Sequence, residues 1–142
     1  MKNKEYDSES EPVIVVVPDD SPPVFLDSGA LARLRTTPNL QVKVFARRPS
    51  NQYQLLERII DAHTVIGMRS STRFSHSIFE ASPKLKHLAL WGTATDHVSL
   101  DAARRNEIVV SHTPNSSTDS VAEHSLALAL ALARRIPELD TR

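Results

Sequence analysis

Arg69, Ser70, Ser71 and Thr72 follow directly on a short apolar run, Thr64–Gly67, and combine a guanidinium with neighbouring hydroxyls. A guanidinium offers a planar fork of donors that matches a carboxylate. Gly92, Thr93 and Ala94 follow a second apolar run, His87–Trp91, where a turn would aim successive backbone amides at an anion. Together the two segments point to a small carboxylic acid as ligand. Each also has a plainer role: an arginine at a strand end often closes a surface ion pair, and a glycine turn often only redirects the chain.

Other polar groups also stand at strand ends or in loops. Asp19–Asp20 follows Val13–Val17, the place where receiver domains of response regulators hold a metal. The comparison fails at the third strand, where a phosphoacceptor aspartate is needed and Gly67, Met68 and Arg69 stand instead. Asp96–His97 sits where a general base could act, although Asp96 serves equally well as a turn residue bonded to nearby backbone. The six histidines fall on separate elements without paired ligand spacing, so no metal site is expected. Ser116, Ser117 and Thr118 could touch a ligand, yet a polar loop before a helix needs no such reason.

Composition narrows the class. The 142 residues are 40% hydrophobic, enough for one core, and carry 17 basic and 17 acidic side chains for a net charge of zero. Such a balance has no electrostatic footprint for nucleic acid or an anionic membrane. With no cysteine there is neither a disulfide framework nor a thiolate site, which suits the cytoplasm. The opening MKNKEYDSESE lacks an apolar stretch, so it reads as a flexible acidic tail over residues 1–11.

The elements that must position the candidate residues alternate regularly. Val13–Val17 is five β-branched residues in a row, a strand buried on both faces, whereas Leu40–Val44 alternates and belongs at a sheet edge. Between them, Asp27 or Ser28 caps a helix carrying Leu31 and Leu34. Leu55, Leu56, Ile59 and Ile60 mark a second helix, and Ser75 caps a third with Ile78 and Phe79. Ser99 caps a fourth from Leu100 to Arg105, closed by a left-handed Asn106 ahead of a fifth strand, Ile108–Val110. Regular alternation with short connections selects an α/β, flavodoxin-like doubly wound parallel sheet of five strands in the order 2-1-3-4-5, spanning residues 12–112.

Residues 113–142 form a linker and a C-terminal apolar helix from Ser120 to Arg135. Ser120 and Glu123 read as a capping box. Val121, Leu128, Leu132 and Ile136 share one face of that helix while Leu126 and Leu130 line nearly the opposite one. Two apolar faces need two partners: the sheet domain on one side, and a further domain or a second copy of the chain on the other. The plainer alternative is a core helix of this domain alone.

The stretch from Leu85 to Pro137 resembles the amino-terminal part of the D-isomer-specific 2-hydroxyacid dehydrogenases, above all in GTATDHVSLDAA, in IVV and in TDSVAEH from Thr118 to His124. VIGMRSST resembles the end of that family's third strand. The resemblance implies a substrate-binding domain joined to a Rossmann domain that binds NAD or NADP, commonly in a homodimer. Arg69 and Ser70 would then lie near the substrate, and Gly92, Thr93 and Ala94 would hold its carboxylate through backbone amides. Thr118 would border the nicotinamide at an interdomain cleft. The family often carries a second glycine where Ala94 stands.

Only Gly29, Gly67 and Gly92 are present, so no GxGxxG loop exists in these residues. The family's arginine, carboxylate and histidine that carry catalysis also fall outside them. The sequence therefore predicts the acid-binding part of an NAD-dependent oxidoreductase acting on D-2-hydroxy acids, truncated, inactive alone and not binding the cofactor alone. Its partners would be a 2-hydroxy or 2-keto acid, a missing NAD-binding domain or second chain, and a second copy through Ser120 to Arg135. The alternative is a non-enzymatic module for small-acid binding or dimerisation.

Overall fold

A computed structural model describes residues 11–140. The tail expected over residues 1–11 thus lies outside the described residues, apart from Glu11. Five parallel strands, β1 (Val13–Val17), β2 (Leu40–Val44), β3 (Thr64–Gly67), β4 (His87–Leu90) and β5 (Val109–His112), form one sheet in the order β2-β1-β3-β4-β5. The predicted topology is the observed one. Val15, Val16 and Val17 are buried at the centre, while Gln41 and Lys43 alternate outward on edge strand β2.

Helices α1 (Gly29–Arg35), α2 (Gln52–Ile59), α3 (His76–Glu80) and α4 (Leu100–Arg105) connect the strands. Of the two candidate caps of α1 it is Ser28 that accepts the Leu31 amide, at 3.2 Å. Leu55, Ile59, Ile78, Phe79, Ala102 and Ala103 of α2, α3 and α4 pack on Val16, Val65 and Leu88. Leu31 of α1 packs on Val17 across the sheet, with Val42, Val44 and Ile66 beside it. Both faces therefore carry helices, the mark of a doubly wound sheet.

Several boundaries differ from expectation. Asn106 keeps φ −94° because its side-chain amide donates back to the Ala102 carbonyl at 2.9 Å, and Glu107 takes the left-handed position instead, at φ 56°. β4 ends at Leu90, before Trp91, because the chain turns at Gly92. β5 starts one residue later than expected and runs to His112, while Ile108 is buried in the core. That extension carries Thr113 to the Gly92 turn.

The last long helix, α5, spans Thr118–Ala133, followed by a short α6 (Ile136–Asp140). Ser117, not Ser120, stands at its N-terminal boundary, so Ser120 lies inside the first turn and the expected Ser120–Glu123 capping box is not formed. Asp119 in the first turn complements the helix dipole there. At the other end Arg134 caps the helix and Arg135 turns left-handed at φ 52°, short of the expected continuation through Arg135. One expectation is overturned outright: α5 buries none of its residues, so the sheet domain covers neither of its apolar faces. Among the described residues no helix is long and apolar enough to cross a membrane.

Candidate functional site

The carboxyl ends of β3 and β4 diverge around a cleft of about 260 Å³, with Gly67–Ser70 on one wall and Trp91–Ala94 on the other. The predicted segments are thus brought together. They stay close because Gly67 lacks a side chain: a Cβ there would sit 3.0 Å from Leu90 Cδ2 and 3.3 Å from Phe74 Cε2. A parallel bridge between Phe74 and Val98, with the Phe74 amide donating to the His97 carbonyl at 2.9 Å, prolongs the β3–β4 contact beneath the cleft.

Gly92 is required by conformation rather than by space, since it adopts φ 143° with nothing within 4 Å of a built Cβ. Its amide donates to Thr113 Oγ1 at 2.8 Å, and the Thr113 amide returns a bond to the Gly92 carbonyl at 3.0 Å. His112 Nδ1 lies 3.1 Å from the Thr93 carbonyl, which selects the tautomer protonated on Nδ1. Gly92 N–H is therefore committed to the fold. The Thr93 and Ala94 amides have no hydrogen-bond acceptor among the described residues, so these two remain to meet an anion. Thr113 and His112 escape a sequence reading because their role depends on β5 lying beside β4; their position at the end of the fifth strand was the one available signal.

Arg69 is engaged differently from a free fork. Its Nε donates to the Ser21 carbonyl at 3.2 Å and its Nη2 to the Pro22 carbonyl at 2.7 Å, tying β3 to the loop after β1, where Ser21–Pro22 is cis. Ser70 is exposed at the rim. The acids after β1 are buried and structural: Asp19 accepts from Thr72 Oγ1 at 2.7 Å, and Asp20 accepts the amides of Val24, Phe25 and Leu26. Burial alone would raise the Asp20 carboxyl, but these amides and the nearby Arg69 charge outweigh it and hold the group below its ordinary value.

The remaining candidates do not converge on the cleft in the same way. His97 lines it but is buried, tilted against Phe74, with the exposed Asp96 carboxylate 3.8 Å from Nδ1. Ser116 borders a different and larger cavity, and Thr118 opens α5 outside the cleft lining. No cluster able to hold a metal exists among the described residues. The glycine-rich turn ahead of a helix that cradles a pyrophosphate in Rossmann domains is not formed among the described residues: the one glycine at a helix start, Gly29, follows a serine whose Oγ already takes the Leu31 amide.

Residues 16–134 match the family described as D-isomer specific 2-hydroxyacid dehydrogenase, catalytic domain. The D-3-phosphoglycerate dehydrogenase of Synechocystis sp. is 38% identical over 82 residues, 58% of this chain and 15% of that protein. The enzyme of the same name from Archaeoglobus fulgidus is 36% identical over 85 residues, 60% of this chain and 16% of that protein. The matched segment therefore spans only about a sixth of these relatives' length. An acyclic imino acid reductase solved with NADPH and D-Arg superposes at TM-score 0.74 and 27% identity, over 89% of this chain and 39% of that one. A 3-phosphoglycerate dehydrogenase of Entamoeba histolytica shares the fold at TM-score 0.72 and 22% identity, over 84% of this chain and 39% of that one. With its sheet order, its cleft at the ends of β3 and β4 and a family match over most of its length, the chain belongs to the D-isomer specific 2-hydroxyacid dehydrogenase family.

Proposed function

We propose that this domain binds a small 2-hydroxy or 2-keto acid and orients its carboxylate, as the acid-binding side of an NAD-dependent oxidoreductase acting on the CH–OH group of D-2-hydroxy acids. The observation that carries this is the pair of acceptor-free amides at Thr93 and Ala94, held beside Gly67–Ser70 by the Thr113 clamp on Gly92. Two amides in one turn favour an anionic oxygen, and the cleft of about 260 Å³ suits a small acid. Ser70 at the rim and the guanidinium of Arg69 add donors from the opposite wall.

The nucleotide side belongs to sequence other than these residues or to a second chain, with Thr118 at the boundary. Residues 12–112 form the acid-binding unit and residues 113–142 the connection. No hydride step is assigned to these residues, which hold no glycine-rich nucleotide loop; by themselves they are expected to be inactive and not to bind NAD or NADP. A cytoplasmic setting and a homodimer through the helix expected from Ser120 to Arg135 complete the reading.

The test is a titration of the isotopically labelled chain with D-lactate, followed by amide resonances. Saturable shifts centred on Gly67–Ser70 and on Thr93 and Ala94 are expected. A full titration to tens of millimolar that leaves those amides unmoved would overturn the proposal. The non-enzymatic alternative is favoured by one observation, that α5 buries none of its residues, and would be supported by association without any acid-dependent shift.

A further inference from the structure

The backbone around His97 is held on both sides. The Val98 amide donates to the Thr95 carbonyl at 3.0 Å, closing a turn over residues 95–98, and the His97 carbonyl accepts the Phe74 amide at 2.9 Å. The imidazole rests against Phe74, 6.5 Å between ring centroids, and the residue is 8% exposed. Its side chain is nonetheless incomplete: among the described residues, Nδ1 of His97 is the one buried side-chain nitrogen or oxygen without a hydrogen-bond partner. A histidine kept for packing alone would have that atom paired, because a polar atom buried without a partner costs free energy.

Two neighbours indicate what completes it. Asp96, 85% exposed at its side chain, holds Oδ1 3.8 Å from Nδ1, about 1 Å beyond a hydrogen bond. Rotation of that solvent-facing carboxylate about its own side-chain bonds closes the gap without moving the backbone. With Nδ1 sealed, Nε2 is the ring nitrogen left to the cleft, whose lining His97 shares with Thr93 and Ala94 and their acceptor-free amides. Little other charge surrounds the ring. Arg69, the other titratable side chain of the lining, donates to the Ser21 and Pro22 carbonyls. Arg73, next to Phe74, lines a separate cavity with Arg48, and Asp101 of α4 is exposed. Asp19 is bonded to Thr72, and His112 of β5 has its Nδ1 on the Thr93 carbonyl.

We infer that His97 is a ligand-binding residue of this cleft, taking up one proton from solvent when an anionic acid sits on the Thr93 and Ala94 amides. Nδ1–H then closes on Asp96, and Nε2–H donates to the bound anion. Only the imidazolium donates from both nitrogens, and an anion on each side stabilises that form. The two amides fix where the ligand oxygen lies, while His97 makes the site select for its charge. Binding of an acid therefore strengthens as pH falls through the imidazole range, whereas an uncharged amide of the same shape gains nothing. The inference deepens the acid-binding reading proposed above and rests on it.

The test follows the His97 ring nitrogens, together with the backbone amides, while the isotopically labelled chain is titrated with D-lactate at pH 7. Conversion of the ring from the neutral to the doubly protonated form is expected. Affinity for D-lactate is expected to be about tenfold tighter at pH 6 than at pH 8, a range over which the ligand stays ionised. His97→Gln keeps a neutral donor and is expected to bind more weakly at pH 6, with less than about twofold dependence on pH. Asp96→Asn alters an exposed side chain, so it should fold as the parent does and lose about threefold or more of the pH 6 affinity. It and the parent's own ring signals decide the matter even if His97→Gln does not fold. Shifted Thr93 and Ala94 amides beside a ring that stays neutral, or an affinity independent of pH, would overturn the inference and leave acid binding standing. Amides and ring that both stay unmoved would overturn the two together.

Discussion

Asp20 accepts amide hydrogens from Val24, Phe25 and Leu26 at 2.9–3.0 Å from a position with no solvent exposure. In sequence the pair Asp19–Asp20 has the look of metal ligands; in the fold both carboxylates are spent on ordering the loop that Arg69 grips. Asp20→Asn is expected to cost about 2 kcal/mol at pH 7, because an amide group in that place meets donors with donors. The folded carboxyl lies below its ordinary value of 3.8, so its stabilisation is fully present above pH 3.8 and is lost as pH falls through the lower folded value. Urea midpoints of parent and variant from pH 7 downward should converge only below about pH 3.8; a constant gap would refute the account. Glycines behave oppositely at two positions. Gly92→Ala forces φ 143° on an alanine and is expected to cost about 1–3 kcal/mol, whereas Gly29→Ala, helical and with open space around it, is expected to gain about 0.5 kcal/mol. Denaturant unfolding of the two variants, measured against the parent, checks both signs.

At the scale of elements, the periodicities that announce β1, β2 and α2 are properties of burial, and burial is what the sheet order delivers. Leu55 of α2 is fully buried and Tyr53, two residues away, is 71% exposed. Leu55→Ala is expected to lower stability by about 2–5 kcal/mol and Tyr53→Ala by less than about 0.5 kcal/mol, compared in parallel urea titrations. Helix ends were less legible. Ser99 and Ser117 occupy N-terminal boundaries without a side-chain cap bond, and Ser75 gives its hydroxyl to Gln52 instead of capping. A serine ahead of an apolar run marks where a helix can start; which partner the hydroxyl takes depends on what tertiary packing brings near.

At the scale of the whole molecule, the missing glycine loop leads to a direct measurement. Adding the chain to NADH is expected to leave cofactor fluorescence free of any saturable change, since no glycine-rich turn precedes a helix among the described residues. Micromolar saturation would contradict that fit argument. The cleft and the larger groove beside α1 share Leu90 and Trp91 in their linings, and Thr113, which clamps the Gly92 turn, borders the groove.

Strand hydrophobicity, alternation on β2 and the spacing of turns determined the parallel sheet and its order, because a strand buried on two faces and one buried on a single face write different residue patterns. The same local logic placed Gly67–Ser70 and Gly92–Ala94 at strand ends. Tertiary structure alone decided which donors remain there. Thr113 takes the Gly92 amide, the Ser21 and Pro22 carbonyls take two donors of Arg69, and Thr93 and Ala94 keep theirs. It also decided that, among the described residues, none of α5 is buried. Periodicity reports that a face must be covered, but whether the sheet covers it depends on where the preceding turn sends the helix, and the Thr113–Gly92 clamp sets that direction.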